Sequence, residues 1–334
     1  MAKKAYQGEK NMEIKNIVNQ ILNEKKEIKN VVWIACGGSN GNNFGAHYFM
    51  SREAKNIHSE MFTSNEFVYA PPKYVGSNTI AILTSMKGTP ETSEAAKVAN
   101  ELGAATIGLY GQESLLSETC HYGIQYESLA KDDSDQGKSN SAYCLQLAIE
   151  ILNATEGYAH YNEAMSVFPK LNDLYIQGKE KVTPLAAKWA QENKDKNFIQ
   201  IMGCGPASAA AYTFSICNVM EMLQIQSNYI NCCEFFHGPF EIVDQDTSIF
   251  LLVSEGRTRK ADERVITFLN KYGGDKVYTL EAKELGIDSI DASVREYFNH
   301  SLFTPILNNV YMREMAKAID KDYTSRRYMW KVEY

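Results

Sequence analysis

The chain has 334 residues, of which 44% are hydrophobic and 22% charged, and its formal net charge is −7. That length suits two ordinary domains, and the composition is globular, which excludes a disordered chain. The negative balance also excludes a general nucleic-acid binder, whose phosphate contacts need a basic field.

Read from the start, the first ten residues have lysines but no apolar run behind them, so no signal peptide is expected. Residues 31–36, Val-Val-Trp-Ile-Ala-Cys, predict a strand running into the turn Gly37-Gly38-Ser39, with a helix following to about Lys55. Residues 80–84 predict a second strand and residues 91–102 a helix. Lys131-Asp132-Asp133-Ser134-Asp135 predicts a solvated loop. Residues 153–194 are helical in character and more charged, which places a first domain at 15–160, a helical linker at 161–193 and a second domain at 194–334.

The second half repeats the plan of the first. Phe198-Ile199-Gln200-Ile201-Met202 runs into Gly203-Cys204-Gly205-Pro206, with Cys204 equivalent to Cys36 and Pro206 suited to a first helical turn. Residues 197–220 carry no charge, yet Asn197, Gln200, Thr213 and Asn218 make them too polar for a lipid-facing span. No membrane element is expected. A strand at 248–253 and a helix at 258–272 follow. Strand–helix alternation of this kind predicts an α/β protein of two similar domains, each a parallel sheet flanked by helices. The aromatic and basic C-terminal tail, residues 323–334, is expected to pack onto something.

Seven cysteines at irregular spacings, Cys232 and Cys233 adjacent, form neither a disulfide framework nor a zinc-type CxxC pair. A reducing cytoplasm is the expected location. His47, His58, His121, His160 and His300 have no partner at metal-ligand spacing, so no metal is expected. Ligands of open parallel sheets bind at the carboxyl ends of strands. The loop Cys36-Gly37-Gly38-Ser39-Asn40 fits such a place, as does residues 84–92, where Ser85, Thr89 and Thr92 offer hydroxyls and Lys87 a charge for a phosphate. Equally, Thr89 or Thr92 can simply cap the helix that Pro90 opens. Glu234-Phe235-Phe236-His237-Gly238-Pro239-Phe240-Glu241 sets an imidazole beside a Gly-Pro turn, sixteen residues after Glu221. A carboxylate and a histidine suit acid–base work on a sugar, although a histidine at a turn also serves as an ordinary hydrogen-bonding residue.

With these loops in hand, the chain from about Lys15 to Tyr334 resembles the sugar isomerase (SIS) family in its two-domain branch. That branch includes the isomerase half of glucosamine-6-phosphate synthase and the fructosamine-6-phosphate deglycases. The resemblance implies two tandem SIS domains of flavodoxin-like, three-layer form. It assigns Glu221 and His237 as the catalytic pair and Ser39, Ser85, Lys87, Thr89 and Thr92 to the phosphate, with Tyr328 near the open-chain sugar. Lys87 stands where many SIS domains carry a second serine. The synthase's C-terminal lysine has no clear counterpart; Tyr328 falls near that position and Lys331 further on.

The chain begins Met1-Ala2 without a glutaminase stretch, so the expected direction is amine release. The implied reaction cleaves a 6-phosphorylated sugar–amino acid adduct, such as fructoselysine or glucoselysine 6-phosphate, to hexose 6-phosphate and amino acid. No cofactor is implied. The implied assembly is a homodimer or larger homo-oligomer whose active site is shared, a reading the aromatic Phe235, Phe236 and Phe240 reinforce if they are exposed. An aldose–ketose isomerase, a glucosamine-6-phosphate deaminase and a non-catalytic sugar-phosphate sensor are the alternatives. The residues before the first domain are too few for a helix-turn-helix unit, which disfavours the sensor.

Overall fold

The computed structural model describes residues 13–333. The first ten residues, read above as no signal peptide, and Tyr334 of the tail lie outside them. The chain divides into two compact units after Met165.

The first unit runs α1 (Ile14–Glu24), β1 (Asn30–Ala35), α2 (Gly37–Glu53), β2 (His58–Thr63), α3 (Ser64–Tyr69), β3 (Thr79–Ser85), α4 (Pro90–Glu101), β4 (Ala105–Tyr110), α5 (Leu115–Thr119), β5 (Tyr122–Gln125), α6 (Asn140–Thr155) and α7 (Tyr161–Met165). Its five strands are all parallel, in the order β2-β1-β3-β4-β5. Every residue of β1, β3 and β4 is buried. A parallel sheet covered on both faces requires this, and it is why these strands read as unbroken apolar runs. Alternate residues serve opposite faces. Val32, Ile34, Ala81 and Leu83 meet Phe67 of α3, Ala95, Ala96 and Ala99 of α4 and Leu116 of α5, while α1, α2 and α6 pack together as the other helical layer.

The second unit runs α8 (Leu171–Asn193), β6 (Phe198–Met202), α9 (Ser208–Thr213), β7 (Gln226–Ile230), β8 (Ile249–Val253), α10 (Arg259–Tyr272), β9 (Val277–Glu281), α11 (Asn299–Ile306) and α12 (Met312–Ala318). The parallel order is β7-β6-β8-β9, the first unit's order without its last strand. Met202, Ile249, Leu251 and Val253 pack against Val265 and Leu269 of α10. On the opposite face Phe250 meets Trp189 of α8, Phe214 and Tyr311, at ring-centroid distances of 5.2, 5.5 and 4.8 Å. Both units are therefore α/β sandwiches of the expected class.

The departures from the sequence reading are local. Helix α2 ends at Glu53, because Ala54 leaves helical geometry at ψ 138°. The helix expected after Pro206 is composite: a 3₁₀ turn over Gly205–Ala207, then α9, then a π-helix over Phe214–Met222. A second π-helix, Leu307–Tyr311, joins α11 to α12. The two π segments are tied by Asn218, whose Nδ2 donates to Asn308 Oδ1 at 2.8 Å. Wide turns of this kind are rare and occur often at functional sites. No helix among the described residues is long and apolar enough to cross a membrane.

Candidate functional site

In the first unit the strand order reverses between β1 and β3, so the loops leaving those strands diverge and open a crevice at their carboxyl ends. The turn after β1 places Ser39, half-buried, in the first turn of α2. Burial pushes the pKa of the neighbouring Tyr126 hydroxyl up, with Ser39 and Asn140 beside it. Asn40 Oδ1 and Asn43 Nδ2 are buried without a hydrogen-bond partner among the described residues, and buried polar atoms are normally paired.

The loop after β3 is a second hydroxyl-rich turn at the carboxyl end of a strand. Ser85 closes the strand, buried, and its Oγ accepts from Thr89 N at 3.0 Å. Gly88 sits at φ +63°, where a Cβ would also fall 2.1 Å from Ser114 Oγ, so only glycine fits. Thr89 holds the N-cap position of α4 and Pro90 its first turn, yet the Thr89 hydroxyl does not cap the helix. It lies instead 3.1 Å from Thr92 Oγ1, which in turn lies 2.9 Å from Ser64 Oγ. Thr92 is buried, whereas Thr89 and Lys87 are exposed. Thr92 thus orients the outward hydroxyl of Thr89.

In the second unit Glu221 stands on the π-helix, and its carboxylate lines a cavity of about 610 Å³. Met220, Gln224, Ser227 and the tail residues Arg326, Arg327, Tyr328 and Met329 complete much of the wall. Arg326 Nε donates to Glu221 Oε1 at 2.7 Å, with side-chain exposures of 9% and 23%. Such pairing at low exposure fixes the carboxylate far better than a surface pair would. The tail therefore does pack, through Arg326, while Tyr328 and Trp330 keep 64% and 69% of their surface exposed. The sequence reading placed Tyr328 at the site but missed Arg326, whose 105-residue separation from Glu221 leaves no local signal.

His237 is exposed on the loop between β7 and β8 and is not among the residues lining the Glu221 cavity. The aromatic residues around it correct one expectation. Phe235 is fully buried, and Phe235, Phe236 and Phe240 each stack on Phe268 of α10, with centroids 5.6–5.7 Å apart. Arg264 covers the Phe236 ring at 4.1 Å. These rings anchor the loop to its own unit, and the burial of Phe235 removes it from the argument for a partner chain, while Phe236 and Phe240 stay half-buried. The exposed part of the loop combines Glu234, His237 and Glu241 with Ile242, which keeps 61% of its surface exposed.

Two parallel sheets, with hydroxyls at one switch point and a cavity lined by a carboxylate, make an α/β protein with two candidate polar sites. No family model matches the chain. The fructosamine deglycase FrlB of Bacillus subtilis (strain 168) is 33% identical over 311 residues, 92% of this chain and 94% of that protein. A fructoselysine 6-phosphate deglycase of Escherichia coli (strain K12) is 22% identical over 80% of this chain and 78% of its own. The crystal structure of a candidate phosphosugar isomerase from Salmonella typhimurium LT2 superposes with a TM-score of 0.92 at 41% identity, covering 96% of this chain and 98% of that one. The chain belongs to the sugar isomerase (SIS) family, in the two-domain branch of the fructosamine deglycases.

Proposed function

We propose that the protein is a deglycase that cleaves a 6-phosphorylated fructosamine of an amino acid to hexose 6-phosphate and the free amino acid. The observation that carries this reading is the Glu221 carboxylate, held by Arg326 in a cavity walled by the cationic tail. A carboxylate so fixed suits repeated proton transfer, and Arg327 beside it suits a substrate that brings an amino-acid carboxylate. The similarity to FrlB supports the same substrate class.

The division of labour follows from the groups present. Ser39, Ser85, Lys87, Thr89 and Thr92 receive the phosphate. His237 passes a proton to the ring oxygen and opens the sugar. Glu221 removes a proton from C1 of the ketoamine and returns one to C2, so the ketoamine becomes an enolamine and then an imine at C1. Water adds to the imine carbon, and the C–N bond breaks as the amine leaves with a proton. Acid–base steps alone complete the reaction. Fructose 6-phosphate and glucosamine 6-phosphate, offered beside the phosphorylated adducts, separate this activity from the isomerase and deaminase readings. Turnover confined to the two simple sugars would reject it.

The exposure of His237 away from the Glu221 cavity favours a site shared between two copies of the chain, each supplying one of the pair. Mixing inactive Glu221→Gln and His237→Ala subunits under exchange conditions then restores activity. Random pairing of dimers yields one intact site in four, so about a quarter of wild-type activity is expected. If mass analysis confirms exchange and no activity returns, both residues act within one chain.

A further inference from the structure

The second sheet also has a switch point, between β6 and β8, and it is built differently from the first. Gly205, at φ +52°, takes Thr258 so closely that a Cβ would lie 2.0 Å from its Oγ1. Arg257 Nε donates to Glu296 at 2.8 Å. These contacts close the crevice, and behind them lie Cys204, Cys232 and Asp262, all buried. The pairing Met202↔Ile230, continued past the strands by Gly203 N donating to Ile230 O, brings Cys204 and Cys232 together just beyond the ends of β6 and β7. Asp262 reaches the same point from the first turn of α10.

We infer that Cys204, Cys232 and Asp262 form a binding site for a thiophilic divalent cation, zinc above all, which staples the histidine loop to the sheet and to α10. The ligand atoms, two Sγ and a carboxylate oxygen, lie within 4.8 Å of one another. The Cys204 thiol donates to Asp262 Oδ1 at 3.1 Å, a proton the metal would replace. Zinc bonds of about 2.3 Å to sulfur and about 2.0 Å to oxygen set a tetrahedral S···O separation near ~3.5 Å, so loading opens this pair by only a few tenths of an ångström. The other carboxylate oxygen accepts from Ser254 N at 3.1 Å and Ser254 Oγ at 3.0 Å, the kind of outer contact that orients a metal ligand.

Charge points the same way. Asp262 is fully buried, and among the described residues no cationic side chain pairs with it. The arginines of its own helix are engaged elsewhere, Arg259 with Glu255, Glu263 and Glu281, and Arg264 with the Phe236 ring. A buried carboxylate beside two thiols wants a cation, and two sulfurs with one oxygen select zinc over magnesium or calcium. The ligands are closed in by Phe235 and α10, so the metal serves structure: Cys232 opens the loop that carries His237 five residues later.

The test uses the untagged full-length chain, reduced, stripped with a chelator and titrated with cobalt(II), then zinc. Thiolate-to-cobalt charge transfer in the near ultraviolet should saturate at about one equivalent per chain and vanish when zinc displaces cobalt. Cys204→Ser, Cys232→Ser and Asp262→Asn should each weaken cobalt affinity, read from the midpoint of the titration, at least about tenfold, and the two cysteine variants should also lower the band itself. Zinc should raise the Tm of the wild type and leave Cys204→Ser unmoved. Should these variants not fold, metal analysis of the wild type decides: about one zinc per chain must remain bound after gel filtration of the reloaded protein. No charge-transfer band, a band undiminished in Cys204→Ser, or a Cys204–Cys232 disulfide with no metal uptake after reduction would each overturn the site.

Discussion

Glu221→Gln should fold normally and lose about a hundredfold to ten-thousandfold in kcat, the usual range for a general acid–base group. The amide keeps the shape of the carboxylate and can still accept from Arg326, so the cavity wall is preserved. What it cannot do is take a proton from C1. The loss should therefore appear in kcat with KM little changed, which is the signature of an interaction made only in the transition state. Far-ultraviolet circular dichroism and Tm check the fold, and steady-state kinetics on a phosphorylated adduct check the chemistry. Retention of more than about a tenth of wild-type kcat would remove Glu221 as the base.

The second large effect concerns the phosphate. Three or more charge-assisted hydrogen bonds of about 1.5–3 kcal/mol each should be lost with the phosphoryl group. The dephosphorylated adduct should accordingly fall at least about a thousandfold in kcat/KM with the wild type. Lys87→Ala, at an exposed position, should weaken every hexose 6-phosphate tested without harming stability. Ser85→Ala should do the same and also loosen the loop, because Ser85 Oγ holds Thr89 N at 3.0 Å. Neither change should further impair the dephosphorylated adduct. Equal kcat/KM for the phosphorylated and dephosphorylated adducts would reduce the hydroxyls of this loop to supports of α4.

Much of the architecture was legible because parallel strands covered on both faces leave a plain trace. The runs at 31–35 and 80–83 are apolar without alternation, the run at 198–202 is broken only by Gln200, and each leads into a glycine or hydroxyl turn. The duplication was legible from the equivalence of Cys36 and Cys204, which both stand at the start of a helical turn after a first strand. The π-helix under Glu221 was not, since no glycine or proline in Phe214–Met222 marks the change in hydrogen-bond register. Nor was the burial of Phe235, which needs Phe268 on a helix thirty residues on to give it a core. The zinc candidate escaped for a related reason. Its ligands sit at positions 204, 232 and 262, brought together by the register of β6 with β7 and by the packing of α10, whereas a search for close CxxC spacing sees none of it.

The central claim is that a phosphorylated fructosamine loses its amine by way of C1–C2 proton transfer. The direct measurement is to incubate the wild type with fructoselysine 6-phosphate and identify both products by mass spectrometry and enzymatic assay. Passage through the C1 imine predicts glucose 6-phosphate and free lysine in equal amounts. Fructose 6-phosphate with lysine would mean simple cleavage of the C–N bond at the ketose level. Either that result or the absence of lysine release from every phosphorylated fructosamine offered would contradict the account.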